Sequence, residues 1–389
     1  MYDVIIIGSG PAGLMAGIEL KRELKVLMLE KNEQMGKKLL VSGAGQCNFT
    51  HSGSILEFFS KYNNEGRFIK RSLSLFSNED LIEFFIDNNL DIVTRDDGKV
   101  FPKSLRAKDL VNIFERKLRK MKREIKLKSK VIKIEHAEDF TVHTETEKYE
   151  SKHLIIATGG MTYPSLGTSG DGYEFAKKLG HLIEPLNMGL SPVYIKDDEL
   201  VNLSGITLKE IEMSQYRSNK KLNVSKGDLL FTHKGLSGPI IIDNSRYFKA
   251  GDELRLNFGI DALNEKKLVK NALREFLPEK ITIYLIKRYN LDAEKPLIQW
   301  NKKEKNKLNE VLHESKFSID SLGNINESMV TCGGVSFKDI SSKTLESRKV
   351  PRLYFAGEVL DVDGESGGYN IQAAFSMGHL VADEINSSG

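Results

Sequence analysis

MYDVIIIGSGPAGLMAGIELKRELKVLMLEK, residues 1–31, is the stretch that decides the fold. Its apolar run Val4 to Ile7 stops at Gly8, Gly10 and Gly13, a helical pattern follows, and a second apolar run from Val26 ends on Glu30. Strand, glycine turn, helix, strand and acid stand in the order of a dinucleotide-binding βαβ unit. Gly8 allows the tight turn, Gly10 lets backbone approach a pyrophosphate, and Gly13 lets helix and strand pack closely, while the helix N-terminus faces the anion. Glu30 is placed to accept hydrogen bonds from ribose hydroxyls. Pro11, Ala12 and Lys31 complete the contacts expected from this unit. It reads as the seat of the ADP half of a dinucleotide, FAD or NAD.

Outward from that unit, 389 residues suffice for two or three domains and a large core. A chain that is 40% hydrophobic and 29% charged is of the ordinary globular kind. The net charge of +3 is too mild to imply nucleic acid by itself. The most basic region is Lys103 to Lys130, where Leu110, Phe114 and Leu118 recur at helical spacing, so a solvated helix face is favoured over a phosphate patch. Cys47 and Cys332 form no CxxC, which signals neither a disulfide framework nor a zinc site, and no metal is expected. That usage suits a reducing cytoplasm. The first strand begins at residue 3, leaving no room for a signal peptide, and no apolar run approaches the ~20 residues of a membrane span. A soluble, cytoplasmic protein is expected.

Further along, MGKKLLVSGAGQCNFTH spans residues 35–51. Its small residues let backbone lie against a flat or charged ligand, and Lys37 and Lys38 could meet phosphate. Lys38, Gly43, Gly45, Gln46, Cys47 and Asn48 are therefore expected cofactor contacts. Residues 55–130 look mainly helical, with a turn signal at RDDGK. A strand pattern at Lys130 to Ile134 places Val131 among the contacts, and a polar hairpin follows at Phe140 to Tyr149. His153 to Ala157 reads as a buried strand closed by Thr158, Gly159 and Gly160, which permit tight approach to a ligand, and a helix follows at about Gly172 to Leu179.

Composition changes near Pro185. Short alternating runs from Gly189 to Phe258 predict an inserted β-barrel or open sheet, and Asn264 to Glu314 is helical and polar. The α/β character returns with the strand Leu353 to Ala356, then Gly357, Glu358, and the pair Gly367 and Gly368 opening a helix near Tyr369. The expected class is α/β, a discontinuous Rossmann-like domain of residues 1–187 and 325–389. Residues 188–260 form the inserted β domain, and 261–324 a small helical domain with a return segment.

A second glycine-to-helix junction suits FAD, which stretches across the sheet. Glu358 would serve the ribityl chain or a phosphate-bound water, and the helix terminus at Tyr369, Asn370 and Ile371, with Gly368 before it, would point at the flavin's pyrimidine edge. Free amides and roughly half a positive charge at that terminus stabilise the charge that develops there on reduction.

GKKLLVSGAGQCN, LIIATGG with YPSLGTSGDGY, LLFTHKGLSGP, TCGGV and LYFAGEVLDVDGESGGYNIQAAFSMG, spread in order over the whole chain, resemble the HI0933-like flavoproteins, which include aminoacetone oxidases and a flavoprotein of bile-acid dehydroxylation operons. The resemblance implies FAD in a two-dinucleotide-binding-domain flavoprotein fold with an inserted barrel and a small helical domain. One departure stands out: the family reads GxGRCN where this chain has Gln46. Loss of one charge-assisted hydrogen bond is worth roughly 1–3 kcal/mol, and Lys37 or Lys38 is the expected compensation.

The expected reaction is hydride transfer between a small organic substrate and flavin N5, with oxygen or NAD(P)H as redox partner. Tyr163 and His233 are the proton-transfer candidates, with packing against the cofactor and bracing of a glycine-rich loop as their plainer roles. No second GxGxxG is present, which favours an oxidase or transient nicotinamide binding. A small-molecule substrate, a monomer or homodimer, and neither nucleic acid nor membrane are expected as partners. The alternatives are a dehydrogenase using NAD alone and a non-enzymatic flavin sensor or RNA-binding module that uses the helical insert and the Lys103 to Lys130 segment.

Overall fold

A computed structural model describes residues 1–388. The chain divides into two compact units, Met1–Asn187 with Met329–Gly389, and Met188–Ser328. In the first, a seven-stranded sheet runs in the order Glu124–Lys126, Val26–Leu29, Tyr2–Ile7, Lys148–Ile156, Phe140–Thr144, Val131–His136, and Leu353–Phe355 also pairs with Lys148–Ile156. Parallel strands covered on both faces need unbroken apolar runs, and VIII, VLML and LYF are buried throughout. The register pairs Ile7 with both Leu29 and Ile156, and Ile156 with Phe355. Four parallel strands therefore end on one level. Gly8, Glu30, Ala157 and Ala356 leave the sheet together at its carboxyl edge, where open α/β sheets bind ligands.

Two helices on this sheet approach each other at backbone distance: a β-carbon on Gly378 of the final helix, Tyr369–Ser388, would lie 2.2 Å from the Ala12 carbonyl oxygen of the helix Pro11–Glu19. The first helix ends against Arg123, a residue 7% exposed whose guanidinium donates to the carbonyls of Gly17, Leu20, Lys21 and Leu24. Gly17 and Leu20 belong to the end of the helix, where carbonyls lack an intrahelical donor, and Lys21 and Leu24 to the turn that follows it. The helix Ala107–Lys120 buries Leu110, Val111, Phe114 and Leu118, with Phe114 stacked on Phe375 of the final helix.

The span 55–130 is mainly helical, as the sequence suggests, with short strands among the helices. A three-stranded antiparallel sheet joins Thr50–His51, Lys99–Pro102 and Ile92–Thr94. The RDDGK signal is the turn of its hairpin, closed by Gly98 at φ +80°. Strands of two to four residues are too short to show a period.

The second unit holds a closed antiparallel barrel in the order Val193–Ile195, Gly235–Ser237, Lys220–Phe231, Thr207–Arg217, Glu253–Asn257, Ser315–Leu322. Its last strand closes the ring by pairing Val193 with Leu322. Here the structure departs from the expected boundary at residue 260. The closing strand follows the helices Val269–Leu273, Glu279–Arg288 and Lys302–His313 in sequence, and Leu285, Trp300 and Leu312 share one core with Phe231 and Phe317 of the barrel. Barrel and helices are one folding unit, because neither buries its apolar face without the other. The chain returns to the first unit at Met329 rather than at 325. Among the described residues, no helix is long and apolar enough to cross a membrane.

Candidate dinucleotide site

The three glycines of the first turn have different neighbours. Gly8 sits at φ +101°, and a β-carbon there would be 2.4 Å from the Ala157 carbonyl oxygen; one on Gly13 would be 2.0 Å from that of Gly8. Gly10 has ordinary angles, φ −74° and ψ −176°, and nothing lies within 4 Å of its β-carbon position. Packing explains Gly8 and Gly13 and leaves Gly10 unexplained. What Gly10 keeps open is the space before the helix Pro11–Glu19, toward which its first amides point.

Glu30 is 7% exposed, and both of its oxygens are engaged. Oε2 accepts from the amide (3.0 Å) and hydroxyl (2.5 Å) of Ser9, and Oε1 from the amide and side-chain nitrogen of Asn32, both at 2.8 Å. A carboxylate has about four lone-pair positions, so these donors fill it. Two of them are side chains that can turn aside for a sugar hydroxyl. Beside Glu30, a cleft of about 400 Å3 is lined by Lys31, Asn32, Lys128, Lys130 and Ser165 among others. Lys31 Nζ is held by Asp171 and Ser169, both at 2.5 Å, and Ser129 N donates to Glu30 O just before Lys130 and Val131.

The loop after the second strand is strained. Gly43, Ala44, Gly45 and Cys47 all have positive φ, although Ala44 and Cys47 carry side chains. Such conformations cost about 1–3 kcal/mol each and persist where the surroundings enforce them, commonly at ligand sites. Asn48 Oδ1 accepts from Val100 N, which ties the loop to the small sheet. Gln46 Oε1 accepts from Arg95 Nη2 at 2.7 Å, and the Arg95 guanidinium lies 4.0 Å over the Phe101 ring. The charge missing at position 46 thus stands beside it, delivered by a residue 49 positions away. Lys37 and Lys38, the expected compensation, are engaged within the protein. Lys37 donates to Ser165 O, and Lys38 to Thr162 and to Glu358 at 2.9 Å.

Glu358 also accepts from Thr331 N at 2.9 Å. Gly160 makes room for this group, since a β-carbon there would be 2.5 Å from Glu358 Oε1. Gly159 and Gly357 have positive φ, and Thr158 Oγ1 is buried without a hydrogen-bond partner among the described residues. Opposite, Gly368 lies so close to Thr50 that a β-carbon would meet its carbonyl oxygen at 2.6 Å. The final helix makes its first intrahelical bond from Gln372 N to Gly368 O, so the amides of Tyr369, Asn370 and Ile371 precede the ladder and point out of its end. The Tyr369 ring is buried, stacked on His51 and edge-on to Phe58. Asn370 spends its side chain on Gly364, bonding both its N and O.

The two proton-transfer candidates lie in different units. Tyr163, half-buried at φ +57°, starts the turn Pro164–Leu166 in the first, and His233 is exposed on the turn between two barrel strands in the second. Of the cysteines, Cys332 Sγ donates to buried Asp363 at 3.3 Å, and Cys47 is fully buried. Burial pushes the Cys47 thiol up to about 12, a hydrogen bond with Ser42 opposing the rise. Only the thiolate alkylates, and below pH 12 the thiol predominates. Iodoacetamide at pH 8 should therefore leave Cys47 unlabelled in the native protein and label it after denaturation, as read by peptide mass. Rapid native labelling, or a Cys47–Cys332 disulfide, would contradict this.

A parallel sheet whose strand ends gather a glycine turn, a carboxylate and a second helix terminus defines a Rossmann-type dinucleotide-binding protein. Residues 2–384 match the family model described as HI0933-like protein Rossmann domain, and the chain belongs to the HI0933-like flavoprotein family. It is 30% identical over 400 residues to the ribosomal RNA dihydrouridine synthase of Escherichia coli K12, covering 99% of this chain and 98% of that one. It is 27% identical over 405 residues, 98% of each chain, to the 3-dehydro-bile acid delta(4,6)-reductase of Clostridium scindens. Among solved structures, the 3-ketosteroid delta1-dehydrogenase of Sterolibacterium denitrificans shares the fold, with TM-score 0.53 at 12% identity and full coverage of both chains.

Proposed function

We propose that this protein is an FAD-dependent reductase that adds two hydrogens to a carbon–carbon double bond conjugated to a carbonyl, with uridine in ribosomal RNA as its substrate. The observation that carries the substrate class is the 30% identity along essentially the whole chain to a ribosomal RNA dihydrouridine synthase. The bile-acid reductase supports the same bond type, since a 3-keto group with double bonds at positions 4 and 6 is a conjugated enone. An RNA substrate departs from the expectation of a small molecule without nucleic acid.

Three features fit FAD. Open space at Gly10 faces a helix N-terminus, as a pyrophosphate requires. Glu30, with Ser9 and Asn32 able to turn aside, suits the adenosine ribose, and the cleft beyond it suits the adenine. The end of the final helix suits the pyrimidine ring, where its dipole favours negative charge. When bound, FAD supplies hydride transfer at N5, with reduced nicotinamide as electron donor. The chain's own part is to orient and to hold charge. Lys38 and Glu358, fixed on each other and on Thr162 and Thr331, keep the floor between the two helix ends rigid, and Tyr163 holds a phenol for proton delivery to the substrate.

The test is anaerobic reduction of the yellow protein by NADPH or NADH, followed by deproteinised ribosomal RNA, digestion and nucleoside mass spectrometry. Dihydrouridine, two hydrogens heavier than uridine, is the expected product. A reduced protein that leaves uridine and a conjugated steroid enone untouched, and yields only peroxide with air, would overturn the proposal in favour of an oxidase.

A further inference from the structure

We infer that the basic face running from Arg95 along the helix Ala107–Lys120 binds the phosphate backbone of RNA and leads it to the loop Ser42–Asn48; this rests on the ribosomal RNA substrate proposed above. Residues 103–130 contain twelve Lys and Arg against three acids, Asp109, Glu115 and Glu124, whereas the whole chain carries 57 against 54. The rest of the molecule is therefore net negative. Cations outnumber acids fourfold in this segment, an excess that the chain as a whole does not show.

Arg123 turns inward and Lys128 and Lys130 line the cleft beside Glu30, but the helix gathers part of the remaining charge on its exposed face. The helix buries Leu110, Val111, Phe114 and Leu118 and exposes Lys108, Asn112, Arg116, Arg119 and Lys120, residues three or four apart that form a stripe. From Lys108 to Arg119 the stripe rises about 17 Å, the axial length of about five nucleotides at ~3.4 Å each. Lys108, Arg119 and Lys120 have no carboxylate partner among the described residues; Asp109 is taken by Ser104 and Arg106, and Lys103 stands 4.0 Å from Asp91. The near end meets the candidate site through the strand Lys99–Pro102, whose Phe101 carries the Arg95 guanidinium, itself bonded to Gln46. One of Arg95's five N–H groups reaches Gln46, and its exposed fork can serve a phosphate bidentately.

The test compares the parent with the triple variant Lys108→Gln, Arg119→Gln, Lys120→Gln, none of which touches the cofactor site, by anisotropy of labelled deproteinised ribosomal RNA over a salt series. The variant should bind at least about tenfold more weakly at low salt, with a log–log salt slope shallower by about 2 to 3, while retaining its flavin and its rate with a free enone. A parent that reduces ribosomal RNA and a variant with unchanged affinity and slope would overturn the inference alone. A parent that binds the RNA through these residues without reducing uridine would sustain the face and overturn the proposed function. A variant that keeps RNA binding but loses binding to phosphatidylserine vesicles would assign the face to membranes and refute the inference.

Discussion

Gly10→Val should fold like the parent and emerge colourless. At φ −74° and ψ −176° any residue is tolerated, and no atom lies within 4 Å of the added β-carbon. The main internal penalty is a β-branched residue in place of glycine at a helix N-cap, about 1 kcal/mol. The side chain instead fills the space that a pyrophosphate would occupy and blocks the amides that would bind it. Losing one or two charge-assisted hydrogen bonds amounts to about 3 kcal/mol, or more than a hundredfold in FAD affinity. Flavin absorbance after gel filtration reads the loss, and the thermal midpoint of both apoproteins reads the fold. Gly13→Val is the contrasting control: with the Gly8 carbonyl oxygen 2.0 Å from its β-carbon, it should fail to fold. A yellow Gly10→Val protein would place the cofactor elsewhere.

Arg123→Met should lower the unfolding free energy by about 2–4 kcal/mol, since a buried carbonyl left without its donor costs about 1–3 kcal/mol. Burial pushes the Arg123 guanidinium below its ordinary value, yet it stays charged, and it is held by carbonyls. Nε reaches Gly17 O at 3.0 Å, Nη1 reaches Leu24 O at 2.8 Å, and Nη2 is shared by Leu20 O and Lys21 O. These groups sit at the negative end of the first helix dipole, where a cation is favoured. Methionine keeps much of the stem's volume and removes the donor from these carbonyls, of which Lys21 O keeps the Leu24 amide. Arg123→Lys restores the charge without the planar fork and should fall between the two. Urea unfolding measures all three proteins; a methionine variant within 1 kcal/mol of the parent would show that water replaces the guanidinium.

The parts legible in the sequence were those whose cause is local. The first βαβ unit is contiguous, and its glycines, apolar runs and terminal acid each announce their role within 31 residues. The barrel was legible from alternation, but its closure was not, because the strand Ser315–Leu322 completes the ring only after three helices have intervened. The small sheet of residues 50–102 is not legible, because its strands carry too little period to stand out among helical neighbours. Arg123 looked like one more cation in a basic segment. Nothing in its neighbours' identity shows that it alone turns inward.

The candidate site divides in the same way. Gly10 and Glu30 were named from spacing alone, since a turn and the strand after it fix where they stand. The partnerships among site residues were decided by tertiary structure: Arg95 reaches Gln46 across 49 positions, and Lys38 reaches Glu358 across 320. A lysine's sequence neighbours show that it carries charge, but whether a phosphate or a carboxylate receives that charge depends on which strand ends the sheet brings together. By itself, then, the sequence determined that a Rossmann βαβ unit begins the chain, because such a unit is specified by short-range periodicity. Only the tertiary structure decided which cations are already paired inside the site and which remain exposed for a partner, because ion pairing acts through space between segments far apart in the chain.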